Sequence, residues 1–322
     1  MELRHLRYFI AVAEEGHITR AAERLGIQQP PLSQRIKAIE RELDVQLFRR
    51  KARGVELTEA GRVFLDNARA MLAQNERAIE STRRTARGEQ GRLCVGVTPT
   101  GPFHPFVPRV IRAFREAFPL VSLTLEECLS PELLERLRNE QMDAAFLRTP
   151  MPEPEDLVMN SLLEEPMVVA LPCAHALAQI DGDAALSLKD LAGETFIVYA
   201  RQHGSGLYDA TTAACLKAGF SPRLGQEAPR ITSALSLVAA GLGISAVPAS
   251  MQRMMMEGVA YRRLKGPNQP KAVLNIASRR GDPSTVVRHF LSLVRRAARD
   301  FHTDPGKSGI MRRAGTRRFA AA

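Results

Sequence analysis

The sequence predicts two folded units of different class. Residues 1–60 predict an all-α winged helix-turn-helix, and residues 92–301 predict an α/β module made of two subdomains. Three observations carry this reading. A short helical pattern, a glycine turn and a second helical pattern opened by two prolines fill residues 19–43. Residues 58–87 hold no proline and keep a helix-forming composition. Past Gly88 and Gly91 the pattern changes to short apolar runs alternating with helical stretches, the β-α-β-α-β order of a mostly parallel sheet covered on both faces.

Each N-terminal element has its own signature. Leu3, Leu6, Phe9, Ile10 and Ala13 recur at helical spacing, and Gly16 ends the run. Thr19-Arg20-Ala21-Ala22-Glu23-Arg24-Leu25-Gly26 makes a short second helix, whose small Ala21 and Ala22 let another helix cross closely. Gly26 supplies a left-handed C-cap. The third helix opens at Gln29-Pro30-Pro31, with proline in the first turn, where its missing N–H costs nothing. At 100° per residue Leu32, Ile36, Ile39 and Leu43 share one side, Pro30, Gln34, Lys37 and Arg41 the other, and Ser33 the flank.

Such a polar stripe suits a helix in a DNA major groove: Ser33 and Gln34 can hydrogen-bond base edges, and Lys37 reaches a phosphate. Taken alone it reads equally as a surface helix; the short helix before it and the wing after it favour the DNA reading. Arg49-Arg50-Lys51-Ala52-Arg53-Gly54 is a basic turn between two extended arms. It can lay Arg53 into a minor groove and the other cations on phosphates, or serve as a solvated basic loop. The DNA-facing candidates are therefore Thr19, Gln29, Pro30, Ser33, Gln34, Arg35, Lys37, Arg49, Arg50 and Arg53.

Residues 58–90 read as a linker helix with Thr58 as N-cap and Glu59 in its first turn. Gly61, Leu65, Ala68, Leu72, Asn75 and Ile79 follow a 4-3-4-3-4 spacing, a coiled-coil seam that predicts dimerisation through this helix, with packing onto its own domain as the other reading.

The net charge of +10 is uneven: +2 in residues 1–60, +3 in 61–92, +1 in 93–301 and +4 in 302–322. A near-neutral module with basic ends excludes a uniformly basic coat protein. Residues 302–322 read as a basic, disordered tail. No apolar run reaches membrane length and no leader is recognisable, so a soluble, cytoplasmic protein without membrane partners is expected. Cys94, Cys128, Cys173 and Cys215 are scattered and form no C-x-x-C, which predicts reduced thiols, no disulfide frame and no metal site. No cofactor motif and no nucleophile elbow, P-loop or H-E-x-x-H occurs, so no catalytic residue is assigned.

In the C-terminal module, strands are read at 92–97, 121–125 and 143–147, and helices at 106–118 and 131–139. A second set follows: 167–171, 195–199, a helix over 208–218, then 234–240 and 244–247. A strand at 275–278 and a helix over 284–299 return to the first unit. This gives subdomain I (about 92–163 and 268–301) and subdomain II (about 164–267), with ligands expected in the cleft at the carboxyl ends of the strands.

Residues 3–61 resemble the winged helix-turn-helix of the LysR-type transcriptional regulators. The match runs through Leu6-Arg7-Tyr8-Phe9, Thr19-Arg20-Ala21-Ala22, Gln29-Pro30-Pro31-Leu32-Ser33, Ile39-Glu40, Leu43, Leu47-Phe48-Arg49-Arg50 and Leu57-Thr58-Glu59-Ala60-Gly61. Gln28 and His17 depart from the family's small helix caps, which predicts slightly weaker helix starts. Residues 93–300 resemble that family's effector domain, itself similar to periplasmic solute-binding proteins. Within it Leu237-Val238-Ala239-Ala240-Gly241-Leu242-Gly243-Ile244-Ser245-Ala246-Val247-Pro248-Ala249-Ser250 is similar to the branch controlling benzoate, catechol and muconate degradation.

The resemblance implies double-stranded promoter DNA with two-fold symmetry, RNA polymerase, a homodimer or homotetramer, and a small organic acid effector, with activation as the output. It places the effector on Thr98, Thr100, Ser130, Arg148, Tyr199, Arg201 and Gln202. Thr98 and Thr100 read equally as turn caps, and Arg148 as an ion-pair partner. Arg201 departs from that branch and adds a cation that would favour a dianion. A cysteine-based redox sensor of the same fold is the rival expectation, with an enzyme further behind; the redox reading requires a low-pKa thiol and a resolving partner.

Overall fold

The computed structural model describes residues 1–149, 154–180, 184–199 and 205–303. It divides into two units, residues 1–86 and 87–322.

In the first unit three helices, α1 (Leu3–Glu15), α2 (Ile18–Leu25) and α3 (Gln29–Leu43), pack around a small core. The arms β1 (Phe48–Lys51) and β2 (Gly54–Leu57) form an antiparallel wing. The helix α4 (Glu59–Ala86) follows. Leu6, Phe9, Leu32, Ile36 and Ile39 are buried, as their spacing predicts; Ile10 and Ala13 of the same stripe are half-buried, and Val12, outside it, is buried, as are Ala21, Ala22 and Leu47. Leu3 and Leu43, placed on the same stripes, are instead exposed, because both lie on outer turns of their helices beyond the core.

The caps differ from expectation in one place. Gln28 gives α3 no side-chain cap. His17, however, caps α2 well: its Nδ1 accepts the Thr19 N–H at 3.2 Å. Thr58 caps α4 by accepting the Gly61 N–H at 2.9 Å. Glu40 ties the third helix to the wing by accepting both the Leu47 and Phe48 N–H groups, at 2.8 and 3.1 Å.

The coiled-coil seam predicted for α4 does not hold in its first half. Gly61 and Ala68 are buried in their own unit, and Leu65 and Leu72 pack against the same core. A Cβ at Gly61 would come within 2.1 Å of the Leu47 carbonyl oxygen. The heptad-like spacing is thus spent on closing the winged-helix core. The large apolar side chains α4 exposes are Val63, Met71 and Ile79.

The second unit starts with β3 (Gln90–Val97), α5 (Phe106–Ala117), β4 (Leu120–Glu127), α6 (Ser130–Arg138) and β5 (Ala144–Thr149). β3 lies between β4 and β5, parallel to both. Next come β6 (Leu157–Pro172), β7 (Leu186–Ser187), β8 (Thr195–Tyr199), α7 (Ser205–Lys217), β9 (Arg223–Ala228) and α8 (Ile231–Ala239). The chain closes with β10 (Ser245–Pro248), β11 (Val259–Lys265), β12 (Lys271–Arg279) and α9 (Thr285–Thr303). β8 and β9 form a separate parallel pair.

The main sheet is mixed rather than mostly parallel. β6 is one 16-residue strand; β12, β10 and β11 all pair with it antiparallel, and β12 pairs antiparallel with β5. Its Leu162 and Leu163 belong to the core under α5 and α9, whereas Met167, Val168 and Ala170 belong to the core under α8. β12 makes the same passage in reverse, from Ala272 in the second core to Leu274 in the first. Two strands therefore cross between these two cores within a few residues of each other. α9 carries on to Thr303, past residue 301 where the basic tail was expected to begin; residues 304–322 lie outside the described residues.

Gly54 carries the wing. Its φ is +126°, and a Cβ there would meet the Gly16 carbonyl oxygen at 2.2 Å. That oxygen accepts the Val55 N–H at 2.9 Å, so wing and helix turn touch through backbone. Gly54→Ala is expected to destabilise the first unit by about 3 kcal/mol in thermal unfolding. Gly26→Ala, also at positive φ but with open space around it, should cost only about 1 kcal/mol.

Candidate DNA-binding head and effector cavity

Helix α3 presents Gln29, Pro30, Gln34, Arg35 and Lys37 to solvent, with Ser33 half-buried at the flank. Thr19 is exposed at the start of α2. Burial of Leu32, Ile36 and Ile39 fixes the rotation of α3 and so fixes which face is free. The wing is less basic in effect than its sequence. Glu56 faces Arg49 at 3.0 Å and Lys51 at 2.5 Å across the arms, and both cations hold its carboxyl below the usual carboxylate range. Arg50 and Arg53 lie exposed beside them. Arg24 and Arg69 grip Glu14 at 2.9 and 2.8 Å, pinning α2 and α4 to α1.

In the second unit, Thr98, Thr100, Ser130, Arg148 and Tyr199 line one cavity, with Pro99, Gly206, Leu207 and Ile231. Its volume is ≈ 30 Å³, room for about two water centres. Arg201 and Gln202 lie outside the described residues. Thr98 and Thr100 stand on the loop after β3, Ser130 on the first turn of α6 and Arg148 near the end of β5. Thr98 Oγ1 is fully buried with no hydrogen-bond partner among the described residues. Backbone N–H groups in the first turn of α6 lack intrahelical acceptors, as at any helix start, and favour negative charge.

Arg148 does not face the cavity as a free cation. It is 4% exposed and paired with Glu165, which is 3% exposed. Its Nε also donates to Thr100 Oγ1 at 3.3 Å, and its Nη1 to the Ala272 carbonyl at 3.5 Å. The strand register explains the pairing. Arg148 on β5 opposes Leu274 of β12, and Glu165 on β6 opposes Ala272. All four side chains share one face of the sheet. The methyl group of Ala272 leaves Arg148 a path over β12 to the carboxylate. Glu165 is completed by Ser250, which donates its N–H at 2.9 Å and its hydroxyl at 3.1 Å.

Burial draws the Arg148 guanidinium down from its ordinary value and Glu165 opposes that; a guanidinium remains charged in proteins. Sequence reasoning missed Glu165. Its signal was the Glu164-Glu165 pair between the apolar Leu162-Leu163 and Met167–Leu171, since alternate residues of a strand face opposite sides and one of the two carboxylates must face the interior and find a partner. Ser250 lies at the end of the Leu237–Ser250 motif, whose sequence assigns it no partner.

Cys94, Cys128 and Cys215 lack the low-pKa thiol that a redox switch requires. All four cysteines are free. Burial raises Cys94 and Cys215 to about 11, and raises Cys128 as well. Cys94 donates to Glu126 at 3.3 Å, which further disfavours its thiolate. Among the described residues no group of three His, Cys, Asp or Glu side chains is placed to hold a metal, and no helix is long and apolar enough to cross a membrane.

A helix-turn-helix with an exposed polar reading face, joined by one long helix to a two-core α/β module with a buried polar cavity, defines a DNA-binding transcriptional regulator with its own ligand module. Residues 3–62 match the family described as bacterial regulatory helix-turn-helix protein, lysR family, and residues 86–299 match the LysR substrate binding domain. The regulator BudR of Raoultella terrigena is 38% identical over 91% of this chain and 100% of its own. CatR of Pseudomonas putida is 35% identical over 92% of this chain and 100% of its own. The crystal structure of full-length CbnR complexed with its target DNA superposes with a TM-score of 0.81 at 30% identity, covering 92% of this chain and all of the other. The chain belongs to the LysR family of transcriptional regulators.

His104 supplies a pH test of the module. It is 2% exposed, faces Glu165, Arg148 and Arg253, and burial pushes it down to about 4. The unfolded chain takes up this proton near pH 6.5, and the folded one only near 4. The stabilisation from neutral His104 is therefore complete above pH 6.5 and lost as the pH falls toward 4. It amounts to at most about 3 kcal/mol. In pH-dependent thermal unfolding, His104→Gln should be destabilised relative to wild type at pH 7.5, with the difference narrowing by pH 4.5; a constant difference contradicts the assignment.

Proposed function

We propose that this regulator activates transcription from a two-fold promoter site when a small organic monocarboxylate occupies the cavity at Thr98, Thr100, Ser130, Arg148 and Tyr199. The observation that carries the reading is the buried, unpartnered Thr98 hydroxyl lining a polar cavity beside the start of α6. An unpaired buried hydroxyl costs about 1–3 kcal/mol, and an anion's oxygen would satisfy it. Glu165 already balances the charge of Arg148, so among the described residues the cavity lining offers no spare cation for a dianion. The ≈ 30 Å³ of space, about two water centres, favours the smallest acids. A muconate or benzoate, the effector class that the resemblance implied, needs the two halves of the module to part.

Ligand binding would act by population shift, favouring one arrangement of the two cores over another and biasing the spacing of DNA-binding heads in a homodimer or homotetramer. RNA polymerase is the expected downstream partner. Arg35, Lys37, Arg50 and Arg53 would contact phosphates, and Gln29, Ser33 and Gln34 base edges. Thr19 and Pro30 would lie against the backbone, and Arg49 would contribute less because Glu56 shares its charge.

A thermal-shift panel of monocarboxylates, dicarboxylates and aromatic acids tests the cavity. Short monocarboxylates should stabilise the protein most, and Thr98→Val should lose most of that shift. Equal stabilisation by muconate and acetate would contradict the size argument. In gel-shift titrations on a specific promoter fragment, Gln34→Ala should lose about tenfold or more in discrimination between cognate and mutated sites. Lys37→Ala should instead lower the salt slope of binding by about one. Full discrimination by Gln34→Ala would remove α3 as the reading helix.

A further inference from the structure

We propose that the effector-domain module carries a second anion site, outside the cavity described above, which takes a small phosphate-bearing ligand on Arg109, Arg112 and Arg253. These three side chains, with Phe103, Pro102, Pro105 and Pro108, line an open hollow of ≈ 370 Å³. It shares no lining residue with the effector cavity.

The three arginines have no carboxylate partner among the described residues, unlike Arg24 with Glu14, Arg62 with Glu59 and Arg138 with Asp156. Among the described residues, none of Arg109, Arg112 and Arg253 has an ion pair or hydrogen bond, and no carboxylate lines the hollow. Arg109 and Arg112 are one helical turn apart on α5 and so project side by side. Arg253 comes from the turn after β10, across from them. Three like charges held around one concavity repel one another, and a multiply charged anion removes that repulsion.

The geometry selects the kind of anion. A guanidinium presents a planar fork that matches phosphate in two parallel hydrogen bonds. Three forks need more acceptor positions than the two oxygens of one carboxylate, and a phosphate or pyrophosphate group supplies them. The half-buried Phe103 ring and three prolines form an apolar wall on which the organic body of such a ligand can rest. The site also bridges the module. Helix α5 packs its Phe106, Val110 and Phe114 into the first core, whereas the Arg253 turn sends Met251 and Met254 to the second. A ligand held by both sides would fix their relative placement independently of the effector cavity.

Isothermal titration calorimetry of the full-length protein with pyrophosphate and, separately, with ATP tests the proposal. Saturable binding of pyrophosphate is expected. Arg112→Gln and Arg253→Gln should each weaken it about tenfold or more, with unchanged thermal unfolding because both side chains are exposed. Thr98→Val, in the other cavity, should leave it unaltered. ATP binding tighter than pyrophosphate supports the site together with its apolar wall; equal binding supports recognition of the phosphates alone. No saturable heat from either probe at millimolar concentration overturns the proposal, as does undiminished binding in both arginine variants. It is also overturned if these variants, without any probe, change the sedimentation mass or weaken promoter binding, for the cluster then faces a second copy of the chain or DNA phosphates.

Discussion

The buried Arg148–Glu165 pair is the constraint around which the ligand module is arranged. Two opposite charges, each almost completely removed from water, can be kept only if every remaining hydrogen-bonding position is filled. The strands fill them. Thr100 and the Ala272 carbonyl take up Arg148, and the Ser250 backbone and hydroxyl take up Glu165. These partners come from the loop after β3, from β5, β6 and β12, and from the turn after β10. The pair lies where β6 and β12 pass between the two cores. One ion pair therefore holds the crossing point, shapes one wall of the proposed effector cavity and sets that wall's net charge to zero. A buried pair need not add net stability over an apolar substitute, but removing one partner leaves an uncompensated charge at the crossing, a loss of about 3–5 kcal/mol.

The DNA-binding head obeys a simpler constraint, since its core is small and every apolar side chain counts. Leu32, Ile36 and Ile39 face inward, which leaves Gln34, Arg35 and Lys37 outward with no further adjustment. That separation was legible in the sequence because a helix converts spacing directly into direction. The wing was legible from Gly54 and its flanking cations. Its Glu56 clamp required the pairing of β1 with β2, which spacing alone does not supply.

The seam of α4 shows where a periodic pattern misleads. Gly61, Leu65, Ala68 and Leu72 recur as a coiled coil would require, yet they close the winged-helix core, because the nearest apolar surface is their own unit's. Periodicity specifies that a stripe is buried, but the partner depends on what lies within reach. In the α/β module, β3, α5, β4, α6 and β5 were legible because each is short and bounded by turn residues. The length of β6 and the antiparallel course of β12 were not, since both depend on long-range pairing. Of the cavity, Thr98, Thr100, Ser130, Arg148 and Tyr199 were reached through resemblance. Glu165, a carboxylate 17 residues along the chain from its partner arginine, became visible only once β12 lay between β5 and β6.

The central claim is that Glu165 balances the charge of Arg148 within the cavity wall and thereby selects a monoanion. The most direct measurement is calorimetric titration of Glu165→Gln and wild type with a matched mono- and dicarboxylate pair, acetate and malonate, alongside thermal unfolding. The account predicts that wild type prefers acetate, that Glu165→Gln shifts the preference toward malonate, and that the variant unfolds at lower temperature. An unchanged preference in a variant as stable as wild type would contradict it.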